Sequence, residues 1–184
     1  MEKSYLSSII KQFEYYKSLG DKTLEQLTFE EIQWQSNKDS NSIAIIAKHI
    51  AGNMLSRWTA FLTEDGEKQW RQRDNEFIDS FNSYEDLIAA WESGWFCFFN
   101  AIKPLKDKDL ERIIYIRNQG HTVTEAINRQ LAHYSYHIGQ MVFLAKLLKG
   151  EEWESLSIPK GNSNKYNEEK FSKEKDKRHF TDDL

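Results

Sequence analysis

Apolar residues recur at three- and four-residue steps in four stretches of this chain, the spacing that lines one face of an α-helix. In the first, Leu6, Ile9, Ile10, Phe13 and Tyr16 share a face, which predicts a helix from Lys3 to Leu19 with Gly20 as its stop. The polar segment LEQLTFEEIQWQ follows and has room for a short helical turn. Ile43, Ile46, Ile50, Met54 and Phe61 predict a second helix over Ser42–Leu62, with Ser40 or Asn41 as N-cap. The charge-dense stretch TEDGEKQWRQRDNEF, opened by Asp65-Gly66, reads as a loop. Leu87, Trp91, Trp95, Phe98 and Phe99 carry a third helix from Ser83 to Ile102, closed by Pro104. RIIYIRNQGHTV alone has strand character and predicts a short hairpin near residues 112–123, turning at Asn118-Gln119-Gly120. Thr122 followed by Glu125 fits a capping box that starts the fourth helix, which Gly150 ends.

Four amphipathic helices joined by polar loops predict an all-α fold, a four-helix bundle. The connections between the first and second and between the third and fourth helices are long, so a simple up-down order is not required. The bundle domain is expected over residues 1–167. From Glu168 to Leu184 the chain holds six acidic and five basic residues with little to bury, and a polar, mobile tail is expected there.

Composition narrows the class. With 184 residues the chain is long enough for one well-buried core, and its 14% aromatic content supplies large core side chains. The opening MEKSYLSSIIKQFEYYK lacks the charged-then-apolar order of a signal peptide, and no apolar run is long enough to span a membrane. One cysteine, Cys97, allows no internal disulfide and suits a reducing compartment, so a cytoplasmic location is expected. A net charge of −4 argues against a nucleic-acid partner.

The candidate chemistry lies in two helices. In LAHYSYHIGQM, His137 falls roughly 40° from His133 on a helical wheel, among Ala126, Met141, Leu144 and Leu148. A lone imidazole on an apolar face is more often a hydrogen-bonded core residue than a ligand. Two at i, i+4 can reach one metal ion. In IIAKHIAGNMLSRW, His49, Asn53 and Arg57 follow one another by single turns beside the apolar stripe. An interhelical hydrogen-bond network, an ion pair or a polar cavity accounts for that line, and the cavity is the better account. His179 is expected in solvent and His121 at a loop or cap. Trp91, Trp95, Phe98 and Phe99 are expected in the core or a dimer face, and Cys97 as a small buried hydrophobe. The segment from Glu64 to Glu76 reads first as a solvated connection and second as a lid presenting Arg71 or Arg73.

His49 in one helix, followed by H-x-x-x-H-x-G-Q in a later one, resembles the DinB/YfiT-like superfamily of four-helix metalloproteins. DGEKQWRQRDNEF, GHTVTEAINRQLAHYSYHIGQ and LSIPKGNSNKYN resemble a small-protein branch of it without assigned activity, over residues 3 to 167. The resemblance implies a three-histidine site for one divalent ion at His49, His133 and His137, a non-sequential helix order and a homodimer. It also implies a small-molecule substrate, because some members transfer or isomerise with low-molecular-weight thiols.

Three neutral imidazoles leave a divalent ion an open position, the pattern of catalytic rather than structural sites. Such ligands suit zinc, nickel or iron, and copper as well, so ligand type does not name the metal. Asn53 is placed to orient substrate or water, Arg57 to receive an anionic group, and Gln140 to hold a ligand ring from behind. Three functions remain open: metal-dependent thiol transfer, metal-dependent hydrolysis, and a non-catalytic metal-binding or stress-related interaction domain.

Overall fold

The computed structural model describes residues 5–183. Four long helices form the bundle: α1 (Tyr5–Glu25), α3 (Ile43–Trp58), α4 (Tyr84–Ile102) and α5 (Val123–Lys149). Two short α-helices, α2 (Phe29–Gln33) and α6 (Ser163–Phe171), four short 3-10 turns and one antiparallel hairpin, β1 (Ile113–Ile116) with β2 (Gln119–Thr122), complete the described elements. Around the bundle α1 packs on α5, α5 on α3, α3 on α4, and α4 returns to α1. The order is therefore not up-down. The chain crosses the bundle diagonally from α1 to α3 and from α4 to α5, and α2 and the hairpin lie on those two crossings. No described helix is long and apolar enough to cross a membrane.

Helix ends follow local chemistry. Thr122 accepts from the Glu125 backbone N–H while Glu125 accepts from that of Thr122, the reciprocal cap expected there. Thr28 and Glu31 make the same box before α2. The cap of α3 is Ser42 rather than Ser40 or Asn41, its hydroxyl accepting from the Ile45 backbone N–H. Helix α3 also stops at Trp58, short of the expected Leu62.

Gly20 does not end α1, which continues to Glu25. Its missing side chain admits a neighbour instead: a Cβ there would lie 2.6 Å from Cζ2 of Trp91. The expected start at Lys3 lies outside the described residues. The hairpin turn is at Arg117-Asn118, both with positive φ (55° and 60°), the two-residue turn whose twist suits a hairpin. Asp65 accepts from both turn N–H groups, at 2.8 Å each, which fastens the hairpin to the loop after α3.

The core is aromatic. Phe13 of α1, Trp58 of α3, Trp95 and Phe98 of α4 and Tyr134 of α5 are buried and meet edge to face, with centroids 4.4 to 6.0 Å apart. Such pairs contribute about 0.5–1.5 kcal/mol beyond area burial. The aromatics expected in the core are there, with Phe99 half-buried at its edge. Cys97 is half-buried, with its sulfur 3.5 Å from the Thr59 hydroxyl.

Beyond α5, Gln26, just past the end of α1, exchanges two hydrogen bonds with the Glu154 backbone. Helix α6 runs across the boundary expected between residues 167 and 168. Farther on, Phe180 stacks edge-on against Tyr15 of α1 at 5.3 Å, and Lys11 pairs with Asp182. A polar composition does not exclude such docking when one aromatic finds an apolar partner.

Helix α3 approaches α4 closely at Gly94, where a Cβ would sit 2.7 Å from the Ala51 Cα. Backbone cannot yield as a side-chain tip does, so Gly94→Ala must part the two helices. A loss of about 1–3 kcal/mol in urea unfolding is expected, despite alanine's better helix propensity. Unchanged or raised stability would show that this contact does not set the helix spacing.

Candidate metal centre

His49, His133 and His137 come together between α3 and α5. The Nε2 atoms of His49 and His133 are 3.3 Å apart, those of His133 and His137 3.1 Å, and the ligating atoms all lie within 4.8 Å of one another. A tetrahedral ion with metal–nitrogen bonds of about 2.0–2.1 Å separates its ligand nitrogens by about 3.3–3.4 Å. The His49–His133 and His133–His137 separations match such an ion.

What stands behind each ring strengthens the fit. His49 Nδ1 is 2.8 Å from Oε2 of Glu76, His133 Nδ1 3.3 Å from Oε1 of Gln130, and His137 Nδ1 2.8 Å from Oε1 of Gln140. A neutral imidazole that donates from Nδ1 presents a bare lone pair at Nε2. Three lone pairs this close repel one another unless a cation lies between them. Oxygen acceptors on the outer nitrogens are the usual support of metal-bound histidines.

Burial tunes the rings. It pushes His133 down to about 3, helped by the nearby His137, His49, Arg57 and Arg71. His137 is lowered too, by burial first and then by His49, with its bond to Gln140 opposing. Both are therefore neutral, the form a ligand needs. Glu76 is opposite in kind: burial would raise its carboxyl, but hydrogen bonds from His49 and Arg71 and the charge of Arg71 hold it below the ordinary value. It stays an anion in a buried place because the Arg71 guanidinium forks onto it, Nε to Oε1 at 2.7 Å and Nη2 to Oε2 at 2.9 Å.

The line of His49, Asn53 and Arg57 is taken up in hydrogen bonds and an ion pair, the alternative to the polar cavity expected there. His49 is 4% exposed, deeper than the stripe's edge, because α3 is covered on nearly every side. His133 and His137 are half-buried at the margin of the core face of α5, whose centre is Ile127, Tyr134, Ile138 and Met141. Gln140 Oε1 stands behind the His137 ring. Asn53 is buried, its Oδ1 accepting from the Tyr134 hydroxyl at 3.2 Å, and that hydroxyl in turn accepts from Trp58 Nε1 at 3.0 Å. Arg57 is enclosed one turn on, beside Gly66 and Ile116, with Nη2 3.9 Å from Glu67 and its Nε and Nη1 without a protein acceptor. His121 lies on β2 and His179 bonds the Thr181 hydroxyl, both apart from the cluster.

Residues 64–76 are not a plain solvated connection. Glu76 and Lys68 are buried, the Arg71 side chain is 2% exposed, and the segment lies against α3. Glu76 and Gln130 escape a reading of the sequence. Gln130 had a signal, since Q-x-x-H-x-x-x-H-x-x-Q places it three residues before His133 as Gln140 stands three after His137. Glu76 had none among its charged neighbours. A cavity of about 840 Å³ between α1 and the arm after α5 holds none of these residues, so the histidine geometry is the better guide to chemistry.

Because the folded, ion-free chain keeps His133 and His137 unprotonated, it binds fewer protons than the unfolded chain, whose imidazoles titrate near 6.5. This contribution to stability is present above that pH and falls away as pH drops below it. Chelator-treated protein is expected to lose about 1–2 kcal/mol between pH 7 and 5 in urea titrations. His133→Asn, with no ring to protonate, should lose less. Equal losses in both proteins would refute the assignment.

Residues 1–162 match the family described as protein of unknown function (DUF1572). The fold is similar to the crystal structure of a DinB-like protein from Bacillus cereus, at 18% identity and a TM-score of 0.60, over 80% of this chain and 95% of that one. No curated protein matches the chain. The chain belongs to the DUF1572 family, and its fold is DinB-like.

Proposed function

We propose that the protein holds one divalent ion, zinc, nickel or iron, on His49, His133 and His137 and uses it to transfer a low-molecular-weight thiol to a small electrophile. The observation that carries this reading is the convergence of three Nε2 atoms whose opposite nitrogens are each held by an oxygen. When bound, such an ion supplies a Lewis acid that lowers the pKa of a thiol or water. The chain's own residues supply the rest. His133 and His137 are half-buried, so the cluster faces outward on the α5 side, beside the exposed Tyr136, whose ring is 5.1 Å from His137. Asn53 has its oxygen committed to Tyr134 and keeps its amide N–H groups for substrate or water. Arg57 and Arg71 lend a positive field, which favours an anionic sulfur or a carboxylate-bearing substrate.

Metal analysis followed by a screen of thiols against electrophilic test substrates checks the proposal. Purified protein should hold close to one ion per chain and catalyse conjugation with at least one thiol. His133→Ala should lose the ion and fall to the uncatalysed background. An ion without turnover on any thiol would remove the transferase, and hydrolysis of test esters by the same preparation would favour a hydrolase. Lack of any ion would remove both.

A second reading is a non-catalytic interaction domain in which the ion ties α3 to α5. Tyr136, Phe143 and Leu147 favour it: they are 63%, 68% and 60% exposed on one stripe of α5 next to the histidines, and apolar stripes of this kind mark association surfaces. The partner proposed for that stripe is a second copy of the chain. Light scattering should find a dimer that Phe143→Asp converts to monomer; a monomeric wild type would exclude it.

A further inference from the structure

We infer that Glu76 is a positioning residue of the metal centre and that it couples ion binding to the docking of the 64–78 strap on α3; the inference rests on the three-histidine reading above. Three observations converge on this carboxylate. Its Oε2 takes the Nδ1 proton of His49 in a hydrogen bond, where His133 and His137 have only neutral amide oxygens. Its orientation is over-determined, because the Arg71 fork grips both oxygens and Arg71 also bonds Glu67 at 3.2 Å. And α3 makes room for it: a Cβ on Gly52 would lie 2.6 Å from its Oε1 and 2.9 Å from its Cδ.

The strap is fastened to α3 around this point. Phe77 lies over the His49 ring at 4.8 Å, and Lys48 donates to the Asn75 and Ile78 carbonyl oxygens at 2.7 and 2.8 Å. An anionic acceptor makes the opposite ring nitrogen a stronger ligand and fixes the ring's direction. The converse follows from linkage. An ion on Nε2 makes the Nδ1 proton a stronger donor, so the ion must stabilise the docked strap by the factor through which the strap raises ion affinity. An ion pair that merely staples the loop would give no such reciprocity.

Two variants and two readouts test this. Glu76→Gln keeps size and an acceptor but removes the charge. Gly52→Ala leaves Glu76 intact and pushes its carboxylate aside, on a helix that alanine favours. Zinc affinity measured against a chromophoric chelator should fall about 10–100-fold in each variant, the usual effect of losing such an outer partner. Hydrogen exchange across residues 64–78 should slow when zinc is added to wild type and change much less in the variants. If both variants bind zinc as tightly as wild type, or if zinc leaves exchange in the strap of wild type unaltered, the inference is overturned while the histidine site stands. If wild type binds no zinc, nickel or iron, the site itself fails and the inference goes with it. Should Glu76→Gln not fold, Gly52→Ala alone decides.

Discussion

The rotation of α5 about its own axis is set by Tyr134, and the metal centre depends on that setting. Its ring packs among Phe13, Trp95 and Phe98, one from α1 and two from α4, while its hydroxyl lies between Trp58 Nε1 and Asn53 Oδ1 on α3. A buried phenol must satisfy its hydroxyl, and here both partners sit on one neighbouring helix, so the register of α5 against α3 is specified as well as its rotation. His133 is the adjacent residue and His137 lies three farther on. With Tyr134 turned fully inward, both imidazoles fall on the margin between core and solvent. There they lose enough water to stay neutral and keep enough exposure to be reached.

The strap after α3 answers a different problem. His49, Asn53, Ser56 and Arg57 are polar groups on a helix that is covered on nearly all sides, and each would be costly if left alone. Glu76 meets His49, the Ser56 hydroxyl meets the backbone of Gly66 and Lys68, and Glu67 lies among Arg57, Arg71 and Arg117. The segment's density of charge is thus matched to a polar line on α3 rather than to solvent. A buried carboxylate persists there because the Arg71 fork returns what desolvation removes.

Asp65 extends the same device to the hairpin, whose turn N–H groups it accepts while Gly66 bonds the Tyr115 carbonyl. Ile114 and Ile116 face inward and Ile113 and Tyr115 outward, so the hairpin closes the end of the bundle where α4 passes diagonally to α5. The crossing that makes the helix order non-sequential therefore also carries an anchor for the strap that reaches His49.

The four helices, the hairpin, the Thr122 cap and the two histidines of α5 are legible in the sequence because each is local: a period of 3.6 or 2, or a pair three or four residues apart. Gly20 was misleading for the same reason, since its local meaning is a helix end and its actual role is room for Trp91, far along the chain. That His49 meets His133 follows from a resemblance, not from spacing, and that Glu76 supports His49 follows from neither. Both contacts join segments separated by tens of residues, and their geometry exists only once the aromatic core has set the helices' rotation and spacing. The sequence by itself determined which side chains can ligate an ion and which helices carry them. Tertiary structure alone decided which way the rings point and which charge stands behind them, because ring direction and desolvation are properties of packing.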